Sequence, residues 1–214
     1  MYPHTYKRAF DIALSVTLIV ITLPLVIFLG LLIKLDSRGP VLFIQERTGL
    51  NGTTFRMYKL RTMAKSNDVR DASQQNLVTN VGKVARALSL DELPQMINIL
   101  KGEMSFIGPR PWIPEYYTHL TPKQRKRVSV LPGITGLAQA HGRNSLSIHQ
   151  KLQYDLDYVK RISAREDAKI TFLTIKALII RSSHQLEKHG IHSELTILQH
   201  QQMSKNQPVF REKL

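Results

Sequence analysis

Ala13 to Ile33 is a largely apolar run of 21 residues without a single charge. That is about the length a helix needs to cross the hydrocarbon core of a bilayer. A signal peptide fits poorly, because no small-residue cleavage site follows and the chain continues Lys34-Leu-Asp-Ser-Arg-Gly-Pro40. A buried helix of a soluble protein is the alternative, but this run is apolar all round rather than along one stripe. Lys7 and Arg8 precede it, Lys34 and Arg38 follow it, and the positive-inside rule asks both flanks to stay on the cytoplasmic side. One straight crossing cannot satisfy that. Pro24, near the middle, interrupts the backbone ladder. A helix bent there, entering and leaving by the same face, is favoured over a spanning one, although Pro also occurs in ordinary spanning helices.

The remainder of the chain is long enough to bury a core and gives no sign of repeats or a second folded domain. The expected division is a membrane-anchoring helix over 1–38, a folded domain over 39–184 and a polar tail over 185–214. Lys and Arg number 30 against 16 Asp and Glu, a formal net charge of +14, so an anionic partner is expected: nucleic acid, a phosphorylated ligand or an anionic membrane. A single Trp and 7% aromatic residues offer no stacking platform for bases. With no cysteine, disulfides and thiolate metal sites are excluded.

Val41–Gln45 and Thr54–Leu60 read as strands joined at Asn51-Gly52, a strong hairpin signal because both residues tolerate positive φ. On the second strand Arg56, Tyr58 and Leu60 share one face, Lys59 and Arg61 the other. Two cations on one face suit a phosphate; a solvated face is the plainer reading. Ser66–Asn80 is polar and reads as a loop or short helix. Further on, Gly108-Pro-Arg-Pro111 is a rigid turn that fixes where Arg110 points, and Arg suits planar recognition of phosphate.

Trp112, Tyr116 and Tyr117 suit either a membrane interface or the core. Lys123–Arg127 reads as a solvated charge run that could also touch lipid head groups. Pro132–Gly136 is a tight glycine-rich loop, and Arg143 adds a cation after it. Ala168–Ile180 has the spacing of an amphipathic helix, packed on the core or lying in the interface. The histidines near the C-terminus are too scattered for a metal site.

Leu88-Ser-Leu-Asp-Glu-Leu-Pro-Gln95 sets two carboxylates, Asp91 and Glu92, at the start of a helical pattern. Ser89 and Glu92 have capping-box spacing, which would make both structural. Pro94 would then fall where its missing N–H removes a needed bond. Asp91 as the cap puts Pro94 at the third helical position, where the N–H is an orphan anyway. An Asp91 cap against the positive helix end would have a lowered pKa and stay ionised, as a nucleophile or metal ligand. Spacing alone does not separate the two roles. With Lys59, Arg61, Arg86, Arg110 and Arg143 near turns or element ends, and two carboxylates able to hold Mg²⁺, the residues point to phosphoryl transfer.

The chain also resembles the bacterial sugar transferases, the small monotopic phosphoglycosyl transferases, from Tyr6 to about Thr174. The matching blocks are Gly39–Phe43 with Gln45 and Arg47-Thr-Gly49, Tyr58–Met63, Ser89–Gln95, Gly102–Pro111 and Pro132–Gln139. The resemblance implies an α+β, helix-dominated fold: a re-entrant membrane helix, a short β-hairpin and amphipathic interfacial helices around a compact cytoplasmic domain. It implies a Mg²⁺-dependent transfer of sugar 1-phosphate from a UDP-sugar to undecaprenyl phosphate at the cytoplasmic face of the bacterial inner membrane, initiating surface glycan assembly. Asp91 would form a covalent phosphosugar intermediate with release of UMP, and Glu92 would help hold the metal. Arg110, within Pro109-Arg110-Pro111, would lie near the nucleotide; position and chemistry, rather than the resemblance, assign Lys59, Arg61, Arg86 and Arg143 to the phosphates. Nucleic acid is not an expected partner; a homo-oligomer is left open. Two positions depart from the family pattern: Leu23 stands where Ser usually precedes the Pro, leaving Thr22 as the nearest hydroxyl, and Leu88 replaces a Thr. The competing reading is a non-catalytic, membrane-tethered basic protein that binds nucleic acid or anionic lipid.

Overall fold

The structure is a computed structural model that describes residues 5–64, 78–142 and 145–179. Helix α1 (Lys7–Asp36) runs through Pro24 and is followed by an antiparallel hairpin, β1 (Leu42–Thr48) and β2 (Thr54–Leu60). Asn51 and Gly52 at its turn both take positive φ, 54° and 83°, as the Asn-Gly signal requires. After α2 (Asn80–Ala87) come a 3₁₀ turn at Leu90–Glu92 and α3 (Gln95–Lys101), which ends on Gly102 in the left-handed region. Strand β3 (Ser105–Ile107) pairs in parallel with β4 (Gly133–Thr135). Between them lie α4 (Pro114–Thr118) and α5 (Pro122–Arg125). Helices α6 (Leu137–His141), α7 (Ile148–Arg161) and α8 (Ala164–Ile179) complete the described chain. The fold is thus helix-dominated with small sheets and one apolar N-terminal helix. Ser66–Leu77, Arg143 and the tail from Gln185 lie outside the described residues.

Helix α1 is not the core helix of a soluble fold. Only 17% of its most apolar 18-residue stretch is buried, and Phe10, Val16, Val20, Ile21, Phe28 and Leu31 are exposed on it. One stripe at helical spacing does meet the domain: Lys7, Asp11 and Ser15 near the start, Leu29, Gly30 and Ile33 near the end. Leu18 and Ile19 pack against the Phe55, Met57, Met96, Ile99 and Met104 cluster, and Val26, Leu29 and Ile33 meet Leu60 of β2.

Both ends of α1 are held by polar contacts. Lys7 Nζ pairs with Asp167 of α8 at 2.5 Å, with both side chains buried. Arg8 donates to the carbonyls of Ile99 and Leu100 at the end of α3, at 2.5 and 2.9 Å, where orphan acceptors await a cation. At the far end, Asp36 accepts from Val81 N at 3.0 Å. Lys7 and Arg8 therefore do not serve as free membrane-flanking charges; both are used in docking the helix. Thr22 Oγ1 donates to Leu18 O at 2.7 Å, the back-bond open to a helical Thr.

The aromatic residues that suited either an interface or the core lie inside, as does part of the charge run. Tyr116 sits in a core cluster with Ile113, Leu120, Ile148 and Leu152, and Trp112 and Tyr117 pack against it. Of the Lys123–Arg127 run, Arg127 is only 2% exposed, so that run is not a uniformly solvated face. Helix α8 packs inward through Asp167 and Ile170, and turns Phe172 and Ile175 outward. It starts at Ala164, four residues before its apolar pattern begins, with Ser163 Oγ accepting from Glu166 N.

Candidate active site

The carboxylate pair lies on the 3₁₀ turn between α2 and α3. Ser89 takes the left-handed conformation, φ 57° and ψ 23°, and its side chain caps nothing. Leu93 N bonds back to Leu90 O at 3.3 Å, and Pro94 becomes the residue that opens α3. Neither Ser89 nor Asp91 is therefore the helix cap. Pro94 is tolerated because it sits just ahead of α3, where no intrahelical bond needs its N–H. Asp91 is left half-buried, with no hydrogen bond or ion pair to its side chain among the described residues.

That placement reverses the expected electrostatics. Burial pushes the Asp91 carboxyl above its ordinary value, with Lys59 and Arg86 pulling it down, Glu92 opposing them, and Arg110 adding to the pull. Glu92 takes the other course. Burial would raise it, but Lys59 Nζ at 2.8 Å and Arg110 Nη2 at 3.3 Å, both on Oε1, bring it down to about 2. Lys59 is itself lowered by burial, against the pull of Glu92. The two neighbouring carboxylates thus differ in kind: Glu92 is a fixed anion, and Asp91 is the more basic, uncommitted group.

The expected cations divide. Lys59 and Arg110 reach Glu92, and Arg86, whose Nε donates to Thr62 Oγ1 at 2.8 Å, is close enough to act on Asp91. Arg61 does not join them. Its guanidinium turns to the end of α1, donating to Ser37 O at 2.7 Å, to Ile33 O at 3.5 Å and to Arg38 O. The reason is the cluster of carbonyls where α1 ends, several of which one guanidinium serves at a time; Ile33 O also accepts from Ser37 N. Gly39, at φ 129°, is needed there, since a Cβ would run into the Arg61 guanidinium. Arg143 is outside the described residues.

Arg47 is a neighbour that spacing did not single out. It lies on the face of β1 shared by Gln45, and donates to Gln45 Oε1 at 2.6 Å and Pro111 O at 3.3 Å. Burial, with Arg110 beside it, brings it down to about 10, so it stays charged. Its only advance signal was strand alternation with Gln45, within the Gln45–Gly49 block. The glycine-rich loop is packed closely against backbone. Gly133 N donates to Pro109 O at 3.0 Å and Gly108 N to Thr135 O at 2.9 Å, and a Cβ at Gly108, Gly133 or Gly136 would strike backbone. The loop supports the Pro109-Arg110-Pro111 turn from behind.

A carboxylate pair, one member uncommitted, among Arg47, Lys59, Arg86 and Arg110 has the makeup of a site for a phosphorylated ligand. The chain belongs to the bacterial sugar transferase family, whose description matches residues 2–181. It is 40% identical over 189 residues to the sugar transferase EpsL of Bacillus subtilis (strain 168), covering 86% of this chain and 92% of that one. It is 39% identical over 185 residues to the UDP-glucose:undecaprenyl-phosphate glucose-1-phosphate transferase of Caulobacter vibrioides, covering 81% and 69%. The UDP-N-acetylgalactosamine-undecaprenyl-phosphate N-acetylgalactosaminephosphotransferase of Aeromonas hydrophila is 39% identical over 183 residues, 81% of this chain and 43% of that protein.

Proposed function

We propose that this chain transfers a sugar 1-phosphate from a UDP-sugar to undecaprenyl phosphate through a covalent intermediate on Asp91. Family membership and the relatives' activities support the general reaction. The observation that carries the mechanism is Asp91 itself: uncommitted among the described residues, made more basic by burial, and facing Lys59, Arg86 and Arg110. A carboxylate used as a cap or ion-pair partner would lack that freedom. In the first step an Asp91 oxygen bonds to the β-phosphorus, and the bond to the bridging oxygen breaks as UMP leaves. In the second, an oxygen of undecaprenyl phosphate attacks the same phosphorus and Asp91 is released. Lys59 and Arg110 hold Glu92 as a fixed anion, and the surplus cationic charge offsets the diphosphate.

The donor chemistry fits Mg²⁺. Asp91 and the second oxygen of Glu92 make no hydrogen bond among the described residues, and Mg²⁺ commonly takes one or two carboxylates, with waters and substrate phosphates completing its shell. Asp91 and Glu92 would hold it, and it would supply neutralisation of the phosphate oxygens. Purified protein with undecaprenyl phosphate, Mg²⁺ and a panel of UDP-sugars, including glucose and N-acetylgalactosamine, is expected to release UMP with at least one of them. Salt-sensitive nucleic-acid binding without UMP release would instead support the basic binding protein.

We further propose that α1 enters and leaves the bilayer on its cytoplasmic face, so that the chain stays on one side of the inner membrane. The support is the docking of both helix ends on one domain, through Lys7, Arg8 and Asp11 at the start and Asp36 at the end. A spanning helix would leave one end unable to reach the domain. The chain has no cysteine, so single probes can be placed at Thr5 and Arg38. Thr5→Cys and Arg38→Cys are both expected to label only from the cytoplasmic side; labelling from opposite sides would remove this topology.

A further inference from the structure

The turn that carries Arg110 is fixed through its own backbone, and the donors that fix it come from distant parts of the chain. Four consecutive carbonyls are taken. Pro109 O accepts from Gly133 N at 3.0 Å, Arg110 O from Arg127 Nη2 at 2.7 Å, Pro111 O from Arg47 Nη1 at 3.3 Å, and Trp112 O from Thr48 N at 2.8 Å. Pro109 and Pro111 fix φ at two of these positions. The turn therefore has little freedom left, and the Arg110 side chain projects from it toward Glu92.

Arg127 is the unusual donor. It is 2% exposed, and its Nε and Nη2 both reach Asp155 Oδ2, at 3.0 and 2.7 Å. Its guanidinium lies 3.9 Å from the Trp112 ring centre. A buried ion pair is weak grounds for stability, because desolvation offsets much of the attraction, so retention of one here calls for another purpose. Nη2 supplies it by serving Asp155 and the Arg110 carbonyl together, which a shorter, single-point cation cannot do. Resting on the proposed transfer reaction, we infer that Arg127 is a positioning residue: held by Asp155 and stacked on Trp112, it sets the Arg110 turn and acts on catalysis only through Arg110. Arg47 holds the next carbonyl from the opposite strand.

The test is a double-mutant cycle with a structural readout beside it. Arg127→Lys keeps the charge opposite Asp155 but gives up the second contact. UMP release is expected to fall between about 10- and 100-fold with Arg110 present, and to show no further fall when added to Arg110→Ala. An equal loss in both backgrounds would overturn the inference, since it would mean general damage. Hydrogen exchange resolved to single amides should speed at Gly133 and Thr48, the donors to neighbouring carbonyls, while α3 amides stay unchanged. If Arg127→Lys does not fold, the paired change Arg127→Met with Asp155→Leu removes both charges and goes through the same measurements. If the wild-type chain releases no UMP, the transfer reading fails and exchange alone decides. Acceleration confined to Gly133 and Thr48 supports the positioning role, and unchanged or uniformly faster exchange overturns it.

Discussion

Asp91→Asn is expected to abolish UMP release, by roughly 10⁴-fold or more, without lowering the melting temperature. Both halves follow from the same local structure. Asp91 is not the cap of α3 and makes no side-chain bond among the described residues, so the amide disturbs no observed contact. Its ionised form is disfavoured by burial, so removing the charge also removes a desolvation cost. A nucleophile loses everything, since an amide oxygen does not displace UMP. Glu92→Gln should differ on both counts. It uncouples Lys59 and Arg110 from their shared anion, lowers stability, and leaves measurable turnover. Thermal unfolding beside a UMP assay separates these outcomes; near-normal turnover in Asp91→Asn would remove the nucleophile assignment. The pH dependence has a definite sign. Attack needs ionised Asp91, whose pKa burial raises from its ordinary value, so activity is full at higher pH and lost as pH falls through that pKa. Glu92, at about 2, remains charged across that limb.

The parts of the fold legible in the sequence were those set by local chemistry. A 21-residue apolar run can only be a helix with an apolar environment to meet, and Asn51-Gly52 and Gly102 mark positive-φ positions that the backbone takes up. The site was legible as a group of residue types, and less so as geometry. Capping logic chose between Ser89 and Asp91, but Ser89 adopts φ 57° and starts a 3₁₀ turn, which frees both side chains. No spacing rule announces such a turn. Charges were misread for a different reason: their partners are far away in sequence. Lys7 meets Asp167, Arg8 meets α3, and Arg127 meets Asp155. A cation beside an apolar run, or within a basic stretch, looks solvated until the fold brings its acceptor. The same is true of Arg47, which becomes a site neighbour only because β1 passes beside the Pro111 carbonyl.

Arg61 provides the sharpest contrast between the two levels of description. One residue past β2, it is two residues from Lys59, on what strand alternation makes the same face; the pair suits a phosphate or a solvated face, and position and chemistry favoured the phosphate. In the fold it is 7% exposed and spends its guanidinium on the carbonyls of Ile33, Ser37 and Arg38, where α1 ends. Bonds from a charged donor are each worth about 1.5–3 kcal/mol. Arg61→Leu is therefore expected to destabilise the protein by about 3 kcal/mol or more, and Arg61→Lys to recover little, because one ammonium cannot replace a planar fork. A phosphate ligand would behave in the opposite way, with unchanged unfolding and a raised KM for UDP-sugar. Measuring both on detergent-solubilised protein distinguishes them. The expected result is a lowered melting temperature with near-normal KM in the fraction that remains folded. That outcome would assign Arg61 to the joint between α1 and the rest of the domain.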